Sequence, residues 1–302
     1  MLDRFAPILF VLLWSTGFIG AKYGLPYAEP MTLLSVRMGF NVAVFLLIAY
    51  WMGVRWPKGI EILHAMVAGI LIHGIYLGGV FYAIGEGFPA GLSALIVGLQ
   101  PIVTAFLAGF LFGERLRQVQ WIGLALGFIG VALVLSGRFQ IPGSAEVMQL
   151  GVMVSVCSLF GITIGTLYQK RFCGNLNLIG SSIWQYLGAA CFYLPLALAF
   201  EEMTIRWTPE FIATMAWLVL GLSVVAVLLL LHLIRKGEAS KVASLFYLVP
   251  PTVALETYFL FDERLDLMGV AGMALVACGV WLVLRQGAAK GLKKPLASGP
   301  AE

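Results

Sequence analysis

Ionisable side chains are scarce in this sequence, so those that fall inside long apolar runs are where its chemistry has to be sought. Hydrophobic residues make up 61% of the 302 positions and charged residues 11%. His73, Arg37 and Glu256 lie within such runs, and an ionisable group in an apolar medium is costly enough to mark, by default, a pathway, a relay or a binding contact. His73 has Tyr76 one turn on and Tyr82 toward the far end of the same run. It can exchange a proton near neutrality, and a neutral His73 satisfied by a neighbouring helix is the structural alternative. Arg37 either snorkels to the nearer interface, meets a carboxylate, or pairs with Glu256 or Glu86. Glu256 must be paired or protonated, which makes Arg37 and Glu256 the favoured internal ion pair. Gln100 offers both a donor and an acceptor. Trp14, Tyr76, Tyr82, Trp184, Tyr186 and Tyr247 are spread over several runs. They supply stacking surfaces with polar handles, suited to an aromatic or amphipathic solute, although each also fits a core or interfacial role. Trp51, Trp56, Trp121, Trp207 and Trp217 sit near the ends of runs and read as an interfacial belt.

Covalent catalysis finds little support. GxSxG, HExxH, P-loop and dinucleotide-binding patterns are absent from the sequence, and His73 is too isolated to complete a nucleophile–base pair. The four cysteines, Cys157, Cys173, Cys191 and Cys278, show no CxxC spacing, so neither a metal site nor a disulfide framework is expected. No cofactor is expected either. The net charge of +4 and pI near 8.9 follow from basic loops of a membrane protein, so a nucleic-acid partner is not expected.

The elements that must hold these residues are membrane helices. Runs of about 20 apolar residues recur along the chain, each long enough to cross a hydrocarbon core about 30 Å thick. In lipid every backbone polar group must be satisfied internally, which a helix does and a lone strand does not. The fold class is therefore an all-α polytopic membrane protein with ten transmembrane helices. The spans are placed at about 5–24, 31–52, 60–84, 90–112, 118–136, 147–170, 178–200, 209–233, 241–261 and 267–284. Alternate connections then divide the basic residues unequally. The amino terminus, the even-numbered loops and the tail hold fourteen of the nineteen lysines and arginines, while Lys22, Arg138, Arg206 and Arg264 fall on the other side and Arg37 within a span. By the positive-inside rule both termini are cytoplasmic. The tail, residues 287–302, reads as a disordered segment with Lys290, Lys293 and Lys294 drawn to anionic lipid.

One stretch occurs twice. Leu99-Gln-Pro-Ile, ending in Phe110-Leu-Phe-Gly-Glu-Arg-Leu116, returns as Leu248-Val-Pro-Pro, ending in Phe259-Leu-Phe-Asp-Glu-Arg-Leu265. In each copy a proline, Pro101 or Pro250, lies about 19 Å of helix before an acid–base pair, Glu114-Arg115 or Glu263-Arg264. The copies fall in the two halves of the chain, residues 1–138 and 145–286. Five helices per half is an odd number, so the second copy is threaded upside down relative to the first. Inverted repeats with helix breaks at matched positions are the architecture of secondary transporters, whose sites lie between the halves near the midplane. Pro101 and the pair Pro250-Pro251 are thus candidate breaks flanking a shared site, with curvature alone as the alternative. The pairs Glu114-Arg115 and Glu263-Arg264 are candidate gate latches on opposite faces.

Here the residues also resemble a known family. Trp14-Ser-Thr-Gly-Phe18, Pro30 with Arg37, Tyr82-Ala83, and the Gln100-Pro101 to Glu114-Arg-Leu116 run backed by Gly123, Gly127 and Gly130 are similar to the drug/metabolite transporter superfamily, and within it to the EamA-type ten-helix carriers. Ser15, where many members carry Gly, and the doubled Pro250-Pro251 are departures. The resemblance implies a bacterial inner-membrane exporter of small metabolites, similar to the aromatic amino-acid exporters, that works by alternating access. It implies a small-molecule substrate and a lipid bilayer as partners, with a proton as a candidate coupling ion. A multidrug or cationic-metabolite carrier is the alternative within the class, and an intramembrane enzyme or a channel is the alternative outside it.

Overall fold

The computed structural model describes residues 2–112, 118–136, 145–226, 229, 248–263 and 266–291. Among these the chain forms helices throughout, joined by short turns. The first three spans are α1 (Leu2–Gly24), α2 (Pro30–Met52) and α3 (Ile60–Gly85). The fourth is split into α4 (Ala90–Val97) and α5 (Gln100–Phe112), and α6 (Gln118–Ser136) follows. The second half holds α7 (Ala145–Phe172), α8 (Leu178–Phe200), α9 (Pro209–Ala226), α10 (Val249–Phe261) and α11 (Leu267–Gly291). The ten expected spans are present, and among the described residues six helices are long and apolar enough to cross a membrane whole. Helix α11 continues to Gly291, so the first residues of the expected tail are helical. Glu114, Arg115, Tyr247 and Arg264 lie outside the described residues.

Contacts between spans fix the direction of each. Ser15 at the middle of α1 meets Glu256 of α10, and Lys22 at its end meets Glu263 just past α10, so these two helices run parallel. Helices α6 and α11 run antiparallel at backbone contact. A Cβ on Gly130 would lie 2.6 Å from the Gly272 carbonyl, and one on Gly279 would lie 2.5 Å from the Gly123 carbonyl. Only glycine admits that approach, which lets packing and weak backbone contacts replace the missing hydrophobic drive between helices in lipid. Because Gly123 and Gly130 hold the places in their half that Gly272 and Gly279 hold in the other, the contact is reciprocal, as across a two-fold axis.

Two spans depart from α-geometry at matched places. Residues Ile70–Tyr76 in α3 and Trp217–Ala226 in α9 are π-helical. A widened turn shifts backbone pairing and leaves carbonyls for other donors, and each stretch is met by a side chain. The Tyr193 hydroxyl of α8 donates to the carbonyls of His73 and Gly74, at 3.0 Å from the latter. In α9, Ser223 Oγ at 3.2 Å and Arg37 Nη2 of α2 at 3.3 Å both donate to the Leu218 carbonyl.

At the face where α1 ends, the connections lock one another. The Glu201 carboxylate accepts from the Met31 and Thr32 amides at 2.8 and 2.7 Å and so caps α2, whose first amides have no intrahelical partner. Glu29 accepts from the Glu202 amide at 2.8 Å, and Ala28 pairs with Ile205 in an isolated antiparallel bridge. On the opposite face, His64 Nδ1 and the Tyr168 hydroxyl share a hydrogen bond of 2.7 Å that joins the start of α3 to the end of α7.

Candidate functional site

The split in the fourth span begins the site. Pro101 has no amide to offer the Val97 carbonyl, so the helix cannot continue through it undisturbed. Helix α4 ends at Val97 and α5 restarts at Gln100, with Leu99 N donating to the Ile96 carbonyl at 3.1 Å in the turn between. Helix α10 starts one residue before Pro250, and the break in the fourth span meets it there: a Cβ on Gly98 would lie 2.6 Å from Pro250 Cγ. Gly98 and Pro250, one from each repeated stretch, both line an internal space.

That space is a cavity of about 310 Å³. Trp14, Gly17 and Phe18 of α1, Arg37, Met38 and Asn41 of α2, and His73, Tyr76 and Phe81 of α3 line one side. Gly98, Gln100 and Pro101, with Ile162, Thr166 and Gln169 of α7, Tyr186 of α8, Leu222 and Ser223 of α9, and Val249 and Pro250, line the remainder. Both halves of the chain contribute, while α6 and α11 stand outside. The wall is mostly apolar with a few convergent polar groups, the usual make-up of a small-molecule site. Gln100 Nε2 lies 3.4 Å from Thr166 Oγ1, which ties the helix break to α7. The His73 and Tyr186 rings lie 4.9 Å apart at their centroids, and a π-helical turn places His73 in the wall.

Of the residues singled out in the sequence, Trp14, His73, Tyr76, Tyr186, Gln100, Pro101, Pro250 and Arg37 meet at this cavity. Tyr82 is 36% exposed and does not line it. Its offset from Tyr76 turns it outward on α3, as two residues six apart on a helix face different ways. Trp184 also lies away from the cavity, and its indole Nε1 is buried with no hydrogen-bond partner among the described residues. Pro251 follows Pro250 in the first turn of α10 but does not reach the cavity.

The expected pairing of Arg37 with Glu256 does not occur. Arg37 is 5% exposed and turns into the cavity, so it does not snorkel, and its hydrogen bond goes to the Leu218 carbonyl. Glu256 Oε1 accepts from Ser15 Oγ at 2.7 Å, and its other oxygen is buried without a partner among the described residues. Arg37 and Glu256 sit against different neighbours, and one sequence carries no information on which helix faces which. The ion pair found among the described residues is Lys22 with Glu263. Glu263 Oε2 also lies 3.5 Å from the Gly91 amide at the start of α4, and the Lys22 ammonium sits 4.3 Å from the Phe261 ring centroid. Three spans therefore converge on Glu263. Asn41, Thr166, Gln169 and Ser223 were missed in the sequence, although a polar residue inside an apolar run is the signal that marks each of them.

The bundle is that of a polytopic membrane protein with a cavity lined by both halves of the chain, and comparison with known proteins gives the class. The EamA-like transporter family model matches residues 5–136 and again 149–285. The chain belongs to the EamA-like transporter family, and it is a transporter rather than an enzyme. It is 26% identical over 280 residues to the uncharacterised transporter YvbV of Bacillus subtilis, covering 90% of this chain and 88% of that protein. It is likewise 26% identical over 291 residues to a probable amino-acid metabolite efflux pump of Escherichia coli, covering 93% and 94%. A solved structure matches with a TM-score of 0.65 over 96% of this chain and 98% of its own, at 19% identity, which supports the fold.

Substitutions separate wall from surroundings. His73→Ala and Gln100→Ala are expected to reduce transport by about tenfold, the worth of one or two lost polar contacts in a buried site. Tyr82→Ala is expected to leave transport near wild type. Initial rates in proteoliposomes, normalised to reconstituted protein, check both.

Proposed function

We propose that the protein is a secondary transporter that exports small organic metabolites, amino acids first among them, from the bacterial cytoplasm by alternating access around the central cavity. The observation that carries this reading is the cavity itself, walled by both halves and including the contact of Gly98, at the break in the fourth span, with Pro250 at the start of α10. At about 310 Å³ it stands at the low end of the roughly 300–1,000 Å³ of small-molecule sites, which favours a metabolite over a bulky drug. Aromatic wall residues beside polar ones suit neutral and aromatic amino acids.

The halves, residues 1–138 and 145–286, act as inverted repeats. The reciprocal antiparallel contact of α6 with α11 and the crossing of α4 with α10 support that arrangement. Exchange of their conformations would open the cavity first to one face and then to the other. The Lys22–Glu263 contact and the interlocked connections beside it then seal the outer face, with both termini on the cytoplasmic side of the inner membrane. In a proton-coupled cycle His73 is the wall residue that would carry the proton.

An uptake panel of radiolabelled amino acids, polyamines and cationic drugs in everted membrane vesicles tests the substrate. Accumulation of neutral or aromatic amino acids is expected. Accumulation of polyamines or cationic drugs instead would replace this reading with the multidrug one.

A further inference from the structure

Arg37 is the charged side chain in the described cavity wall, and the wall contains no aspartate or glutamate to balance it. The guanidinium is held at one corner by the Leu218 carbonyl, while Nε and Nη1 have no partner among the described residues. One helical turn further along α2, Asn41 is fully buried, and both its amide oxygen and its nitrogen are without a partner. Residues four apart share a helix face, so these orphaned groups look into the same cavity. Burying a charge without a counter-charge, and an amide without a hydrogen bond, is expensive enough that folded proteins seldom do it twice on adjacent turns.

From this we infer that Arg37 and Asn41 form a carboxylate-binding subsite, so that the transported solute carries a carboxylate beside an apolar body. A carboxylate supplies the missing counter-charge through charge-assisted hydrogen bonds to the guanidinium and accepts from the Asn41 amide. The Asn41 oxygen remains as an acceptor for a neighbouring ammonium. Trp14, Phe18, Tyr76 and Phe81 face the apolar body. An amine that lacks a carboxylate would bring a second positive charge against Arg37 with no acid among the described wall residues, so simple amines and cationic drugs are excluded by repulsion as well as by size. The inference rests on the reading of the cavity as the transport site and narrows its substrate class.

The test uses the purified full-length protein and two ligand sets matched in shape: phenylalanine, 3-phenylpropionate and phenethylamine, and leucine, 4-methylpentanoate and isoamylamine. Affinities are measured by titration calorimetry with the wild type and with Arg37→Gln, and the same compounds are offered as exchange substrates in proteoliposomes. In at least one set the two carboxylates are expected to bind at least about tenfold more tightly than the amine, with that ratio collapsing in Arg37→Gln. Equal affinity for the amine, an unchanged ratio in a folded variant, or no binding by any of the carboxylates would overturn the subsite. If Arg37→Gln does not fold, the wild-type series alone decides. Binding of 3-phenylpropionate or 4-methylpentanoate without exchange of either amino acid would retain the subsite and reject amino-acid export. Exchange of an amino acid and its amine at equal rates would do the reverse.

Discussion

Gly98→Leu is expected to reduce transport at least about tenfold while leaving the protein expressed and monodisperse. Gly98 lies in the turn between α4 and α5 with ordinary helical dihedrals, so a side chain there meets no backbone strain. What it meets is Pro250, whose Cγ would lie 2.6 Å from a new Cβ. Overpacking a close contact costs about 1–3 kcal/mol, and about 1.4 kcal/mol is enough to change a population tenfold. Gly98 and Pro250 also line the cavity, so a leucine both spreads their contact and fills space that the solute needs. Gly98→Ala carries only the first methyl and is expected to fall between wild type and leucine. Initial transport rates beside size-exclusion profiles check the series; a leucine variant that folds and transports normally would detach the breaks from function.

Reversing Lys22 is expected to have the second largest effect. Lys22 and Glu263 are 31% and 19% exposed, shielded enough to place the pair at the upper end of the roughly 0.2–1 kcal/mol of exposed ion pairs. Lys22→Glu replaces attraction with repulsion between two carboxylates. In the proposed cycle this disfavours the state sealed at that face, by about tenfold when both contributions are summed. The readout is modification of Ala94→Cys in the cavity wall by a membrane-impermeant maleimide added from the Lys22 face. The background lacks Cys157, Cys173, Cys191 and Cys278. Faster labelling is expected in Lys22→Glu, with partial return toward wild type in Lys22→Glu/Glu263→Lys. Return is partial because the exchanged lysine cannot accept from the Gly91 amide that Glu263 faces. Labelling that ignores both changes would mean the contact is not a gate.

The spans themselves could be read from the sequence because lipid imposes a simple rule, and the structure puts helices where about 20 apolar residues run together. Pro101 likewise announced its break, since a missing amide acts locally whatever the fold. The π-helical turns at Ile70–Tyr76 and Trp217–Ala226 left no such mark. In an all-apolar run the residues look alike whether a turn holds four or five of them, and the turns are stabilised by Tyr193 and Arg37 from other helices. Arg37 shows the same limit. Its place inside an apolar run was readable, but neither its turn away from the interface nor its neighbour was, and the carboxylate expected beside it instead accepts from Ser15. Tyr82 and Trp184 show that an aromatic in the right span points to a site only when the rotation of its helix is known.

The central claim, that one cavity is exposed alternately to the two faces, is tested most directly by counterflow. Proteoliposomes are loaded with excess unlabelled leucine or phenylalanine and diluted into trace labelled solute. Transient accumulation of label above its equilibrium level, absent from empty liposomes and abolished by Gly98→Leu, is the predicted result. Label that merely equilibrates at a rate independent of the internal solute, or that emerges chemically altered, would contradict alternating access and point to a channel or to an enzyme.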